Sequence, residues 1–287
     1  METKLMNRRS FMKKGAMYFL ATLGTMGLFS SYALFGEKYK VQIKQVPLTF
    51  DRLPVTFNDF RMVQFSDAHF GRFYNLSEFE KVVSHINGLQ PDLICFTGDL
   101  YDQIQGIPSD ECISMLSALK AKHGKWAVLG NHDYGSGAEQ ITILLEKSGF
   151  IVLKNDFRMI ERGGKRIRIA GIDDVIYGKA NLQKAMIGAT SEEFTLLLVH
   201  EPDYADKVVN FNVDFQISGH SHGGQVRLPW VGALLTPQDG EKYVQGHYTV
   251  AGSKLQVYTN RGIGMSILPI RFLCRPEITV FELRRSL

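Results

Sequence analysis

Apolar residues recur along this chain in short runs of strand length. Runs at 61–66, 93–97, 126–129, 167–170, 194–199, 215–218, 256–259 and 278–283 are four to six residues long and mostly end at Gly, Asp, Asn or His. Their brevity and β-branched or aromatic content predict buried strands. Between them the period changes. Over 77–89, Phe79, Val82, Val83, Ile86 and Leu89 share one helical face, and Ser77 with Glu80 has capping-box spacing. Ile113, Leu116 and Leu119 predict a second helix over 109–120. Strands alternate with helices early and dominate later, so the fold class is α/β, with layered sheets covered by helices. No repeat or long linker divides residues 37–287, which predicts one domain. One run leaves two readings open. Val226 to Leu235 is either a core strand broken at Pro229 or an apolar lip that exposes Trp230.

The N-terminus follows another pattern. Lys4, Arg8, Arg9, Lys13 and Lys14 precede an uncharged run over 15–36, the order of charges expected of a targeting segment. Asn7-Arg8-Arg9-Ser10-Phe11-Met12-Lys13 resembles a twin-arginine export signal. At about 1.5 Å per residue the uncharged run is long enough to cross a hydrocarbon core of about 30 Å, and Ser31-Tyr32-Ala33 offers a small-residue cleavage site. Residues 1–36 are thus expected to be a cleaved signal peptide or a retained membrane anchor. The twin-arginine translocase is the expected partner during export, and the mature chain is expected outside the cytoplasmic membrane, in the periplasm or cell wall.

Charge and cysteine content narrow the partners. The formal charge of +4 resides wholly in the first fourteen residues, where those five cations face only Glu2. The body therefore has no net basic field to hold a polyanion, and nucleic acid is excluded as the main partner. Cys95, Cys112 and Cys274 lack paired spacing and make no disulfide framework. Cys95 lies in an apolar run and reads as a core residue.

Candidate chemistry gathers at the carboxyl ends of the predicted strands, where open α/β sheets place ligands. Asp67-Ala68-His69 follows the first, Gly98-Asp99 the second and Gly130-Asn131-His132-Asp133 the third. His200 and Gly219-His220-Ser221-His222-Gly223-Gly224 follow later ones. Singly, each has an ordinary reading as a turn or capping residue. Jointly and in this order, they indicate a dinuclear metal site. With these blocks the chain resembles the calcineurin-like metallophosphoesterase family. Leu228-Pro229, the Asn260-Arg261-Gly262-Ile263-Gly264 run and Leu268-Pro269-Ile270-Arg271-Phe272 resemble its bacterial, twin-arginine-exported YkuE/YaeI-like branch.

That resemblance implies a four-layer α/β/β/α sandwich of two mixed sheets, here preceded by the signal or anchor helix. It implies two divalent metal ions, one on Asp67, His69, Asp99 and His222, the other on Asp99, Asn131, His200 and His220. Carboxylate, amide oxygen and imidazole without thiolate suit manganese first, with zinc or iron as alternatives. His132, beside Asn131, is the candidate general acid. The resemblance gives Asp133 the task of orienting it, and a turn carboxylate is the alternative. Arg261 and Arg72 lie near motifs and are candidate phosphate-binding residues. The expected activity is hydrolysis of phosphomonoesters or phosphodiesters by metal-activated water. The alternatives are a pyrophosphatase of a lipid-linked envelope precursor of the UDP-diacylglucosamine type, and a catalytically silent metal-binding membrane module.

Overall fold

The computed structural model describes residues 8–102 and 109–286. Helix α1 (Arg8–Ser31) leads into a π-helical turn at Tyr32–Gly36. Among the described residues no helix is long and apolar enough to cross a membrane. Within α1, Gly15, Gly24, Gly27, Thr22 and Thr25 dilute the apolar side chains, so the run that has the length of a span lacks its hydropathy.

The body contains two mixed six-stranded sheets. In the first, β1 (Gln42–Phe50) pairs in parallel with β14 (Glu277–Arg285), which runs antiparallel to β2 (Phe60–Phe65). Parallel strands β3 (Leu93–Thr97), β4 (Lys125–Val128) and β5 (Phe150–Val152) then follow β2. The second sheet has the order β12 (Gly246–Thr249), β13 (Gln256–Thr259), β9 (Phe215–Ser218), β8 (Thr195–Leu198), β7 (Lys165–Gly171) and β6 (Asp156–Arg162). Its four central strands are parallel and both edge strands antiparallel. A separate hairpin pairs β10 (Arg227–Leu228) with β11 (Gly232–Ala233).

Side-chain alternation builds the layers. Met62 and Cys95 from the first sheet meet Ile169, Leu196, Leu198, Phe215 and Ile217 from the second, forming the core between the sheets. Val63, Phe65, Ile94 and Phe96 point the other way, onto α2 (Leu76–Gly88), α3 (Ser109–Ser117) and α4 (Asn131–Lys147). The outer face of the second sheet, including Ala170, Leu197 and Val257, packs on short helical turns through Leu182, Ala205 and Val208. Burial of strands on both faces explains why they read as continuous apolar runs.

All eight predicted strands occur at or near their expected places, and both predicted helices form. The cap of α2 differs: Asn75 and Glu78 make the capping box, and the Ser77 hydroxyl donates to Asn75 Oδ1 at 2.7 Å. At the turn between β10 and β11, Trp230 is 103 % exposed, which overturns its reading as part of a core strand.

Candidate metal centre

Five segments meet at the carboxyl ends of β2, β3, β4, β8 and β9. The chain leaves β2, β3 and β9 sharply: Asp67, His69, Asp99, His220 and His222 all have φ between 46° and 69°, a region that side-chain sterics disfavour outside glycine. Two glycines permit the close approach. A Cβ at Gly130 would lie 2.3 Å from Asp99 Oδ1, and one at Gly219 would lie 2.3 Å from Asp67 Oδ2.

Among the described residues two buried groups of facing ligand atoms result, Asp67, His69 and His222 in one and Asp99, His200 and His220 in the other, and a third, partly exposed group of His69, Asp102 and His132 shares His69 with the first. In the first, His69 Nε2 and His222 Nε2 are 3.0 Å apart, and His222 Nε2 lies 3.5 Å from Asp67 Oδ1. Asp99 joins the two, with its Oδ2 3.4 Å from His69 Nε2 and 3.2 Å from His200 Nε2. Backbone contacts set the histidines. His200 Nδ1 donates to the Thr97 carbonyl at 2.6 Å, leaving Nε2 free to act as a ligand. His220 Nε2 donates to the Gln238 carbonyl at 2.8 Å, leaving Nδ1. The His220 amide donates to Asp67 Oδ1 at 3.0 Å, and the His132 amide to Asp99 Oδ1 at 2.9 Å.

The cluster favours added positive charge. Asp67 and Asp99 are buried and pair with histidines rather than with Lys or Arg. Burial raises the Asp67 pKa despite the neighbouring imidazoles. Burial also opposes charge on His200, but Asp99 outweighs it and holds that imidazole well above its ordinary value. Burial lowers His220 to about 4, and burial with the neighbouring His69 takes His222 well below its ordinary value. Two of the four histidines are thus held as neutral ligands. Asn131 Oδ1 is buried without a hydrogen-bond partner, which is costly unless another group satisfies it. The residues present therefore fit divalent cations.

The flanking residues are arranged differently from expectation. The Asp133 carboxylate accepts from the amides of Asp99 at 2.8 Å, Leu100 at 2.7 Å and Gly130 at 3.0 Å. It clamps the turns after β3 and β4 and is not the carboxylate beside the His132 ring. Burial and the Asp99 charge push it up to about 7, against the amides that favour its charge. Asp102 takes the expected place, with Oδ1 3.1 Å from His132 Nδ1 and 3.6 Å from His69 Nδ1. The available signal was its spacing, three residues beyond Asp99 on the same strand-end turn.

Neither arginine expected to bind phosphate joins the cluster. Arg261 pairs with Glu277 and donates to Gln42 Oε1 at 2.9 Å, because β14 and β1 bring those groups to it. Arg72 is exposed and stacks over Phe73, 5.4 Å from the ring centre. A fully buried arginine matters instead for the scaffold. Arg271 donates to the carbonyls of Arg261, Gly262, Gly264 and Cys274. The loop so braced lies against the Asp67 turn: the Ile263 amide donates to Ser66 O at 2.9 Å and the Gly264 amide to Asp67 O at 2.8 Å.

Two mixed sheets with Asp, His and Asn side chains clustered at their strand ends define an α/β protein with a candidate metal centre. Residues 60–224 match the calcineurin-like phosphoesterase family, and the chain belongs to it. It is 37% identical over 286 residues to the uncharacterized metallophosphoesterase YkuE of Bacillus subtilis, covering 99% of both chains. It is 30% identical over 227 residues to the phosphodiesterase YaeI of Escherichia coli, covering 78% of this chain and 82% of that one. Among solved structures, the NAD nucleotidase of Haemophilus influenzae aligns over 71% of this chain and 45% of its own, at 17% identity and TM-score 0.49.

Proposed function

We propose that this chain hydrolyses phosphate esters with two divalent cations. Asp67, His69, Asp99 and His222 hold one, Asp99, Asn131, His200 and His220 hold the other, and Asp99 serves both. The observation that carries this reading is the pair of ligand groups joined at one buried carboxylate. When bound, the cations supply Lewis-acid chemistry, drawing charge from a phosphoryl group and acidifying water. His132 protonates the leaving oxygen; Asp102, 3.1 Å from its Nδ1, keeps the proton there and leaves Nε2 to exchange one with substrate. His132 is partly exposed, as a group that meets an incoming ester must be. Manganese is the first candidate metal for this donor set.

The test is a panel of phosphomonoesters, phosphodiesters and nucleotide-linked lipid pyrophosphates, assayed with the Mn²⁺-loaded full chain. His132→Ala should lower turnover on the accepted class by about 10²–10⁴-fold and leave the metal content at two ions. Equal turnover by the variant removes His132 from the chemistry. No turnover on any ester by the metal-loaded protein would favour the silent metal-binding module.

The leader supports an exported location. Arg8 and Arg9 sit at the start of α1, outside the two sheets. Changing both to Lys should leave a folded, active enzyme in the cytoplasm. Unchanged delivery to the envelope would reject the twin-arginine route.

A further inference from the structure

Among the described residues, the most exposed apolar side chains of the body belong to two segments laced into one projection. In the first, the β10–β11 hairpin and its continuation expose Leu228, Trp230, Val231, Leu234 and Leu235. In the second, the loop between Gly264 and Cys274, Ile267 is 84 % exposed, and Leu268 and Leu273 are also exposed. Gln225 joins them: its Nε2 donates to Ser266 O at 2.7 Å, and its Oε1 accepts from the Ser266 amide at 3.1 Å. Phe272 N donates to Gln225 O, and Arg227 N to Phe272 O, both at 2.9 Å. Trp230 and Ile267 have φ of 63° and 62°. For a β-branched residue this backbone is a genuine outlier, and burial of its own side chain does not offset the strain.

We propose that this projection docks the protein on an anionic lipid surface. Three observations select a bilayer as the occupant. No acidic residue occurs over 226–238 or over 260–276, so no carboxylate of these two segments repels anionic headgroups, and the half-exposed Arg275 beside them pairs with the buried Glu37 at 3.9 Å. The end of α1 is fastened to the same loop: Leu273 N donates to Glu37 Oε2 at 2.6 Å, Arg271 N donates to Ala33 O at 3.3 Å, and the Tyr32 and Phe272 rings meet edge-on at 6.2 Å. Helix α1 exposes Phe11, Met12, Phe19 and Leu20 and carries Arg8, Arg9, Lys13 and Lys14. The four cations at its start attract anionic headgroups. Exposed Trp at such a tip matches the amphipathic zone at the hydrocarbon boundary.

Docking bears on the metal centre through the chain itself. The arm begins directly after His222 and returns at Gln238, whose carbonyl fixes His220. A lipid surface met by Trp230 therefore lies beside a segment whose two ends set two of the candidate ligands. The proposal concerns surface binding and stands whether or not the catalytic reading holds.

Trp230 provides its own probe, because the only other tryptophan, Trp126, is 3 % exposed. The full chain is mixed with phosphatidylglycerol-rich vesicles whose acyl chains carry bromine, and emission is followed with co-sedimentation. Trp230 emission should shift to the blue and be quenched, and Trp230→Phe should abolish the quenching. Ile267→Asp should weaken vesicle binding about tenfold or more. Co-sedimentation with Trp230 unquenched would mean that α1 alone makes the contact, and would overturn the proposal. A blue shift that grows with protein concentration in the absence of vesicles would assign the face to a second copy and overturn it equally.

Discussion

Asp99 holds its place with φ 59° while its two oxygens meet different neighbours: Oδ1 takes the His132 amide, and Oδ2 faces His69 and His200. Such a residue retains its conformation only because the chain on either side fixes it; the Asp133 clamp on its amide is one such contact. Asp99→Asn keeps the shape and removes the charge that both cations share. We expect bound metal to fall below one ion per chain against an expected two for the unaltered protein, with activity reduced on the order of a hundredfold or more. Metal analysis beside the assay checks this, and two ions at full activity would reject the shared-ligand assignment. At this scale the residue types and their order were legible in the sequence. The partner of His132 was not, because Asp102 and Asp133 are both carboxylates within a few residues of motif positions, and only the fold shows which one meets the ring and which meets amides.

Element boundaries depend on polar side chains that close turns. Asp92, just before β3, accepts from the Arg61 amide at 2.9 Å and from Lys122 Nζ at 2.8 Å, tying β3 to β2. Burial opposes its charge, but the Arg61 amide and Lys122 outweigh burial and hold the carboxyl below its ordinary value. A depressed carboxylate contributes stability that is fully present above the unfolded value of about 3.9 and is lost as pH falls through the folded value. Asp92→Asn should therefore destabilise by about 1–2 kcal/mol at neutral pH, with the difference from the unaltered protein shrinking below about pH 4. Denaturant unfolding of both proteins at pH 7 and in acid measures it; a constant difference would remove the charge from the account. Helix α4 shows what periodicity misses. Its first turns read Asn131-His132-Asp133-Tyr134-Gly135-Ser136-Gly137 and end in a kink at Gly137, φ 109°, so the apolar face of Ile141, Leu144 and Leu145 belongs to the segment after the kink and does not announce the turns before it. The short strands β5 and β12 were equally hidden, because pairing at a sheet edge makes them strands more than their own composition does.

Across the whole molecule, the metal centre joins the two sheets: β2, β3 and β4 contribute from one, β8 and β9 from the other. Cations bound there would hold the carboxyl ends of both sheets together and stabilise the native state by mass action. Metal at about 100 times its dissociation constant contributes about 2.7 kcal/mol per site, or roughly 5–10 °C in Tm for a chain of this size. Thermal unfolding with and without chelator should show that loss, with recovery on adding Mn²⁺. An unchanged Tm after verified removal of metal would show that the strained turns are held by protein contacts alone.

The positions of eight strands, the α/β class and the metal-type residues were legible in the sequence alone, since burial on both faces demands continuous apolar runs and since Asp, His and Asn are side chains that can hold such cations. The tertiary structure decided the rest. Glu277 lies far from Arg261 in sequence but beside it in the fold, and so takes an arginine that its sequence neighbourhood offers to phosphate. The Val226 to Leu235 run has the composition of a core strand, yet both sheets are complete without it, and it closes on itself as a hairpin with Trp230 outward. Composition states that a segment favours leaving water; only the packing of everything else decides whether the molecule has room to bury it.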